Sequence, residues 1–256
     1  MATDLPGLLR TIGVRASIEA IAAFLAHATK SHLSPAQTVE GLVTLERRER
    51  DAKNLSVRMK TATLGKFLSL DRFDWNHPRS IDRARYEQLL ELGFLAHGHN
   101  ILFRGPSGVG KSTLAQNLAL HAVEKGFTVR FTSLASMLAD LLKQESLPAT
   151  ERRMRRYTSP HLLVIDEIGY LPQDARAADL LYNVISARHE LRSTVVTTNL
   201  SFKQWGTVFP GAACLVALVD RFTQHCDVID VDADSYRQKK PPPTSPPTKP
   251  ASPHRP

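Results

Sequence analysis

The chain reads as an α/β protein built on a parallel sheet with helices on both faces, of the phosphate-loop nucleotide-binding kind. Three observations carry this. From about residue 100 onward, short apolar runs alternate with helical patterns, the signature of parallel strands joined by helices. The apolar run Ile101-Leu102-Phe103 leads directly into Gly105-Pro106-Ser107-Gly108-Val109-Gly110-Lys111-Ser112, which has the spacing G-x-x-x-x-G-K-S and opens a helix. A second apolar run, His161-Leu162-Leu163-Val164-Ile165, ends in Asp166-Glu167 about 55 residues after Lys111.

The glycine-rich segment has a chemical reading. Its backbone N–H groups can turn inward around a polyphosphate, and the helix that follows aims its positive end at the same charge. Lys111 is expected on the β- and γ-phosphates and Ser112 on Mg²⁺. A buried strand ending in two acids presents them at the C-terminal sheet edge, where open α/β sheets bind ligands. There Asp166 suits the water shell of Mg²⁺, and Glu167 suits orientation and polarisation of an attacking water.

The remaining elements follow in chain order. Residues 1–62 read as two or three helices. Ile18, Ile21, Ala22 and Leu25 recur at helical spacing, and Ser34-Pro35-Ala36-Gln37 has the form of a capping box opening a long helix to about Lys60. That helix carries a basic flank of Arg47, Arg48, Arg50, Lys53, Arg58 and Lys60, either a contact face for DNA or a protein partner or a solvated charged face. Residues 63–79 read as a connector in which Leu68, Leu70, Phe73 and Trp75 alternate with polar residues, lying beside a nucleotide base or forming a buried strap. Ser80 is expected to cap a helix to about Leu92, ended by Gly93.

Residues 100–104, 127–132, 161–167, 193–199 and 228–231 are expected strands. The helices between them are expected at 111–124, 134–144, 148–157, 175–190 and 215–222. The 148–157 helix holds Arg152, Arg153, Arg155 and Arg156, the strongest DNA-contact candidate in this part of the chain. Asn199 ends its strand with a polar side chain that suits the γ-phosphate or the lytic water, with Thr198 as the substitute, or else a cap or turn. Arg221 in Asp220-Arg221-Phe222 is either a surface partner of Asp220 or an arginine finger offered to a neighbouring subunit.

With 256 residues, 42% apolar and 23% charged, the chain has room for one substantial core and a small extra module. No apolar run reaches the roughly 18 residues of a membrane span, and Met1-Ala2-Thr3-Asp4 lacks the basic start of a signal peptide, so a cytoplasmic protein with no membrane partner is expected. Two cysteines, Cys214 and Cys226, without C-x-x-C spacing give neither a disulfide framework nor a zinc site. His97-Gly98-His99 has no ligand-spaced carboxylate or cysteine and reads as a turn. A formal charge of +8 favours a polyanionic partner. From residue 239 the chain holds eight of its sixteen prolines and is expected to be disordered.

Taken together, GPSGVGKST (ending in Thr113), LLVIDEIGYLP, ISARHELRSTVVTTNLSFKQW and DRFTQHCDVIDVDADSYR resemble the IstB-like branch of the AAA+ ATPases. These are helper proteins of insertion elements that encode an IstA-type transposase, and the DnaC-type helicase loaders are their relatives in architecture. The resemblance runs from about Leu68 to Arg237. It implies an AAA+ domain over 63–238 behind a helical module over 1–62. Within that domain it implies Lys111 and Ser112 as the Walker A residues, Asp166 and Glu167 as Walker B, Asn199 as the first sensor and Arg221 as the arginine acting in trans; Arg237 is a weaker carry-over whose sensor role it leaves open. Ala233 stands where family members usually carry glycine. The implied activity is Mg²⁺-dependent ATP hydrolysis coupled to homo-oligomer assembly, as a filament or ring, on duplex DNA with a transposase partner. The alternative client is a replicative helicase. A monomeric small-molecule kinase would leave the basic charge and Asp220-Arg221-Phe222 unexplained.

Overall fold

Apolar residues on successive strand positions point to opposite faces of a sheet, so each buried strand of this chain feeds two cores. The computed structural model describes residues 5–169 and 175–236. Its sheet comprises β1 (Ser80–Ile81), β2 (Asn100–Arg104), β3 (Val129–Ser133), β4 (Leu162–Ile168), β5 (Ser193–Thr198) and β6 (Cys226–Asp232), in the order β1-β6-β2-β5-β4-β3. All pairings are parallel except β1 with β6. Ile101, Phe103, Val164 and Val195 point into one core with Leu114 and Leu118 of α5 (Lys111–Glu124). Leu102, Leu163, Ile165 and Val196 point into the other, with α6 (Leu134–Leu142), α8 (Ala175–Arg188) and α10 (Leu215–Thr223). The fold is therefore the mixed α/β, P-loop architecture expected from the alternation.

The helix after the glycine loop runs over the expected residues, and the helix expected at 148–157 is α7 (Leu147–Thr158). At the N-terminus, α1 (Leu5–Thr11) and α2 (Ile18–Lys30) precede α3 (Pro35–Ala62). The capping box closes as expected: Gln37 N–H donates to Ser34 Oγ at 3.3 Å, and Ser34 N–H donates to Gln37 Oε1 at 2.9 Å. The two ends of α3 have different neighbours. Toward its start it contacts α2, and toward its end Leu55 and Ala62 join the core beside α5. Between them Asp51, Ala52, Lys53 and Asn54 are all exposed, the pattern of a helix that bridges through solvent.

Two local expectations need correction. Ser80 begins a two-residue strand, not a helix, because it pairs antiparallel with Asp232 of β6; helix α4 (Arg83–Leu89) is instead capped by Asp82, whose carboxylate accepts from Arg85 N–H. Gly93 begins a 3₁₀ turn through Leu95. A short helix, α9 (Trp205–Val208), follows β5 without a sequence-level signal. The expected tail from 239, Arg237 and the Tyr170-Leu171-Pro172 part of the quoted motif lie outside the described residues. Among the described residues, Cys214 and Cys226 are free thiols, no His, Cys, Asp or Glu grouping is arranged to hold a metal ion, and no helix is long and apolar enough to cross a membrane.

One side chain ties the lower edge of this sheet together and gave no sequence signal. Arg188, at the end of α8, is only 1% exposed. Its guanidinium donates to the carbonyls of Tyr157 and Pro160 at 2.9 Å and of Ser193 at 2.5 Å, and to Thr194 Oγ1 at 3.0 Å. Burial, with a smaller contribution from Arg192, pushes its pKa down to about 9. Arg188 thus joins the end of α7 to the starts of β4 and β5. Arg188→Met is expected to leave several buried carbonyls without donors and to cost about 3 kcal/mol or more. Urea unfolding checks this; a change below about 1 kcal/mol would contradict it.

Candidate nucleotide site

The C-terminal ends of β2, β4 and β5 converge on the glycine loop, which turns from β2 into α5. Two of its glycines are dictated by geometry. Gly105 has φ 155°, and a Cβ there would lie 2.0 Å from the Val231 carbonyl oxygen. Gly110 has φ 99°, and a Cβ would lie 2.7 Å from the Phe73 ring. At Gly105 the clash is with backbone, and at Gly110 the left-handed φ itself favours glycine, with the Phe73 ring adding to it. Lys111, 9% exposed, folds back across the loop and donates from Nζ to the carbonyls of Gly105 (2.8 Å) and Pro106 (2.6 Å). Its charge is therefore held where the loop closes on itself.

A cavity of about 220 Å³ opens over the loop. Its floor is Ser107, Gly108, Val109, Gly110, Lys111, Ser112 and Thr113. Glu167, Thr197, Thr198 and Asn199 line one wall, while Leu68, Phe73, His77 and Tyr236 line the other. The connector is thus part of the site. Asn117 Nδ2 donates to Leu68 O at 2.9 Å and anchors it to α5. Residues 234–236 close over it: Tyr236 N–H donates to Gly108 O at 3.0 Å, His77 Nε2 lies 2.8 Å from Asp234 O, and Arg79 pairs with Asp234. The Tyr236 and His77 rings meet edge to face at 4.8 Å. Tyr236, quoted in the sequence motif, therefore belongs to the cavity, and Ser235 packs behind it against Gly108.

The acids are held from the neighbouring strand and from the loop helix. Asp166 Oδ1 accepts from Ser112 Oγ at 2.8 Å and from Thr197 Oγ1 at 2.5 Å. Glu167 N–H donates to Thr197 Oγ1 at 2.9 Å. Glu167 has φ 63°, an uncommon backbone state for a non-glycine residue. Thr198 Oγ1 donates to Ile168 O at 2.6 Å, and Gly105 N–H donates to Thr198 O at 3.1 Å. Lys111, Ser112, Thr113, Asp166, Glu167 and Asn199 are thus brought together at one sheet edge. Thr197 was missed by the sequence reading, which looked only to Thr198 and Asn199 at this strand end. Its one available signal was a hydroxyl at strand positions beside the acids.

Other expected residues lie elsewhere. Arg221, on α10, is half-buried and does not line the cavity; its guanidinium sits 5.1 Å from the Tyr182 ring of α8. On α7 the four arginines divide. Arg153 donates to Asp140 Oδ2 from Nε at 2.7 Å and Arg156 lies 3.9 Å from the same carboxylate, while Arg152 and Arg155 are exposed without a carboxylate among their described partners. The Arg153 hydrogen bond is the main influence holding Asp140 below the usual carboxylate range, with Tyr157 adding to it. A carboxylate depressed in this way contributes to stability above its unfolded pKa, and that contribution is lost as pH falls through the lowered value. Arg153 is therefore tied into the fold, whereas Arg152, Arg155 and Arg156 present charge to solvent.

Comparison with known proteins places this geometry. The IstB-like ATP binding protein family matches residues 8–242. The chain is 36% identical over 204 residues to the ATP-binding protein of insertion sequence IS232 from Bacillus thuringiensis subsp. berliner, covering 78% of this chain and 82% of that one. It is 32% identical over 191 residues to the ATP-binding protein of insertion sequence IS21 from Pseudomonas aeruginosa, covering 75% and 72%. In fold it is similar to DnaI, with a TM-score of 0.54 at 17% identity over 64% of this chain and 90% of that chain. It is also similar to AMPPCP-bound DnaA from Aquifex aeolicus, with a TM-score of 0.55 at 19% identity over 68% and 53%. A glycine loop closed by a buried lysine, two acids at the end of β4 and a family match along nearly the whole chain lead to one conclusion: the protein belongs to the IstB-like ATP-binding proteins of insertion sequences.

Proposed function

We propose that the protein is a Mg²⁺-dependent ATPase that assembles on duplex DNA in its ATP state, engages an IstA-type transposase, and is reset by hydrolysis. The observation that carries the ATPase reading is the hydrogen-bonded set Ser112, Asp166, Thr197 and Glu167 at the mouth of the glycine loop. The loop amides and Lys111 receive the phosphates. The apolar wall of Leu68, Phe73 and Tyr236 offers a surface for the base.

A hydroxyl and a carboxylate 2.8 Å apart form an oxygen donor set that suits Mg²⁺, held by Ser112 and Asp166. When bound there, Mg²⁺ would supply neutralisation of phosphate charge. Glu167 faces the cavity and accepts a proton from, or orients, the attacking water. Asn199, exposed at the end of β5, is the polar group on the γ-phosphate side. Arg221 does not line its own cavity, which suits a group offered to a neighbour's nucleotide.

Insertion-sequence relatives and the +8 charge support a DNA-directed role. The helical module of residues 1–62 is the natural carrier of the partner contact, since α3 leaves the ATPase fold through a solvent-exposed stretch. DNA affinity is expected to fall with rising salt as phosphates are neutralised and counterions released. Replacing Arg152, Arg155 and Arg156 together by alanine should flatten that slope by about one unit per lost phosphate contact. An unchanged slope and affinity would make this helix a solvated face only. Binding isotherms at several salt concentrations read this out, with little dependence on DNA sequence expected.

The experiment that tests the function is ATPase rate against protein concentration, with and without duplex DNA. The rate per subunit should rise with concentration and rise further with DNA. A rate per subunit independent of both would overturn the proposal.

A further inference from the structure

We propose that Thr197 is the positioning residue of this site: one buried hydroxyl that holds the metal-side acid and the water-side acid in a fixed mutual arrangement. The inference rests on the ATPase reading above and names a residue for the same reaction. It begins with strand register. Along β4 and β5, Ile165 pairs with Val196 and the next partners are Ile168 and Thr198. Three steps on β4 therefore match two on β5, so Asp166 and Glu167 together oppose the single residue Thr197. This is a β-bulge, a device that re-aims side chains at the cost of a ladder hydrogen bond.

The bulge leaves the Glu167 N–H off the ladder, and φ of 63° turns that residue's side chain out toward the cavity. A backbone N–H taken off the ladder needs another acceptor. Thr197 Oγ1 supplies it at 2.9 Å. A hydroxyl has one hydrogen and accepts through its lone pairs. With an N–H already donating to it, its own hydrogen goes to Asp166 Oδ1 at 2.5 Å. Thr197 is 1% exposed, so the packing of β5 fixes its hydroxyl between the two acids. On its other side Asp166 pairs in register with Ser133 of β3 and accepts from Ser112 at the start of the loop helix. Thr197 therefore completes a frame in which the position of Asp166 sets the position of the Glu167 backbone, and the reverse.

Thr197→Val keeps the volume and β-branching that suit the buried strand but removes the hydroxyl. Thr197→Ser keeps the hydroxyl and removes a methyl group. In the full-length protein, three measurements separate the roles: steady-state ATP hydrolysis, equilibrium binding of a fluorescent ATP analogue in EDTA and across a Mg²⁺ titration, and thermal melting. The valine variant is expected to bind the analogue in EDTA within about 3-fold of wild type. It should need about 10- to 100-fold more Mg²⁺ for the same enhancement of binding, and its turnover should fall by a similar factor with little change in KM. The serine variant should restore both.

Equal Mg²⁺ dependence and turnover in Thr197→Val and wild type would overturn the inference. So would a serine variant as impaired as the valine variant, which would assign the effect to packing. If Thr197→Val melts early, the serine variant alone decides: it must behave as wild type. Should wild type hydrolyse no ATP, the proposed function fails, while the Mg²⁺ titration still tests Thr197.

Discussion

Glu167→Gln is expected to stop turnover while leaving ATP binding and ATP-dependent assembly in place. Removing the group that orients or deprotonates the attacking water should lower kcat by about 100- to 10,000-fold. Glutamine keeps the shape and the backbone N–H that donates to Thr197 Oγ1, so the frame around Asp166 persists. The variant should therefore accumulate in the ATP-bound state, and its complexes with DNA should outlast those of wild type. Single-turnover hydrolysis and a DNA dissociation time course check both halves. Undiminished turnover would remove Glu167 from the mechanism. Lost ATP binding would mean that the side chain is needed for the ground state, contrary to its exposed position on the cavity wall.

Arg221→Ala is the second large effect. An arginine that stabilises transition-state charge on a neighbour's nucleotide is worth about 10³- to 10⁵-fold in rate. In this fold the guanidinium lies over Tyr182, a contact worth about 0.5–1 kcal/mol at an exposed site, so the variant should fold with only a small loss of stability. The diagnostic is a mixture. Arg221→Ala subunits have an intact glycine loop, and Lys111→Ala subunits have an intact Arg221; each alone should be inactive. Combined on DNA they should recover a fraction of wild-type turnover, because some interfaces then pair a sound loop with a sound arginine. Absence of recovery would place the action of Arg221 within its own chain, and an Arg221→Ala variant with wild-type turnover would remove Arg221 from the reaction altogether.

Much of this was legible in the sequence because the determining physics is local. A buried parallel strand must be a short apolar run, and a phosphate loop must use glycine where backbone meets backbone, as at Gly105 against Val231. The strand end at Asp166-Glu167 and the start of α5 at Lys111 could be placed for the same reason. What stayed hidden depends on pairing between distant segments. Ser80 belongs to a strand only because Asp232 lies opposite it. Arg153 reads as one of four surface arginines until α6 brings Asp140 beside it. Arg188 looks like a basic residue at a helix end, yet it is buried among carbonyls from three segments. Thr197 gains its role from a one-residue register shift between β4 and β5, and no periodicity in either strand announces it.

The residues around the loop also give the segment after β6 a place in the site. Tyr236 is fastened to Gly108 by its backbone and to His77 by its ring, while Arg79 and Asp234 pair beside them. The connector and residues 234–236 therefore meet each other on one side of the glycine loop. Nucleotide in the cavity would touch both, which gives the assembly reading a physical route from the loop to the surface.

The most direct test of ATP-gated assembly is electron microscopy of the full-length protein with duplex DNA and a slowly hydrolysed ATP analogue, beside the same sample with ADP. The account predicts ordered multi-subunit particles on DNA with the analogue and their loss with ADP. Isolated monomers in both samples, or identical assemblies in both, would contradict it.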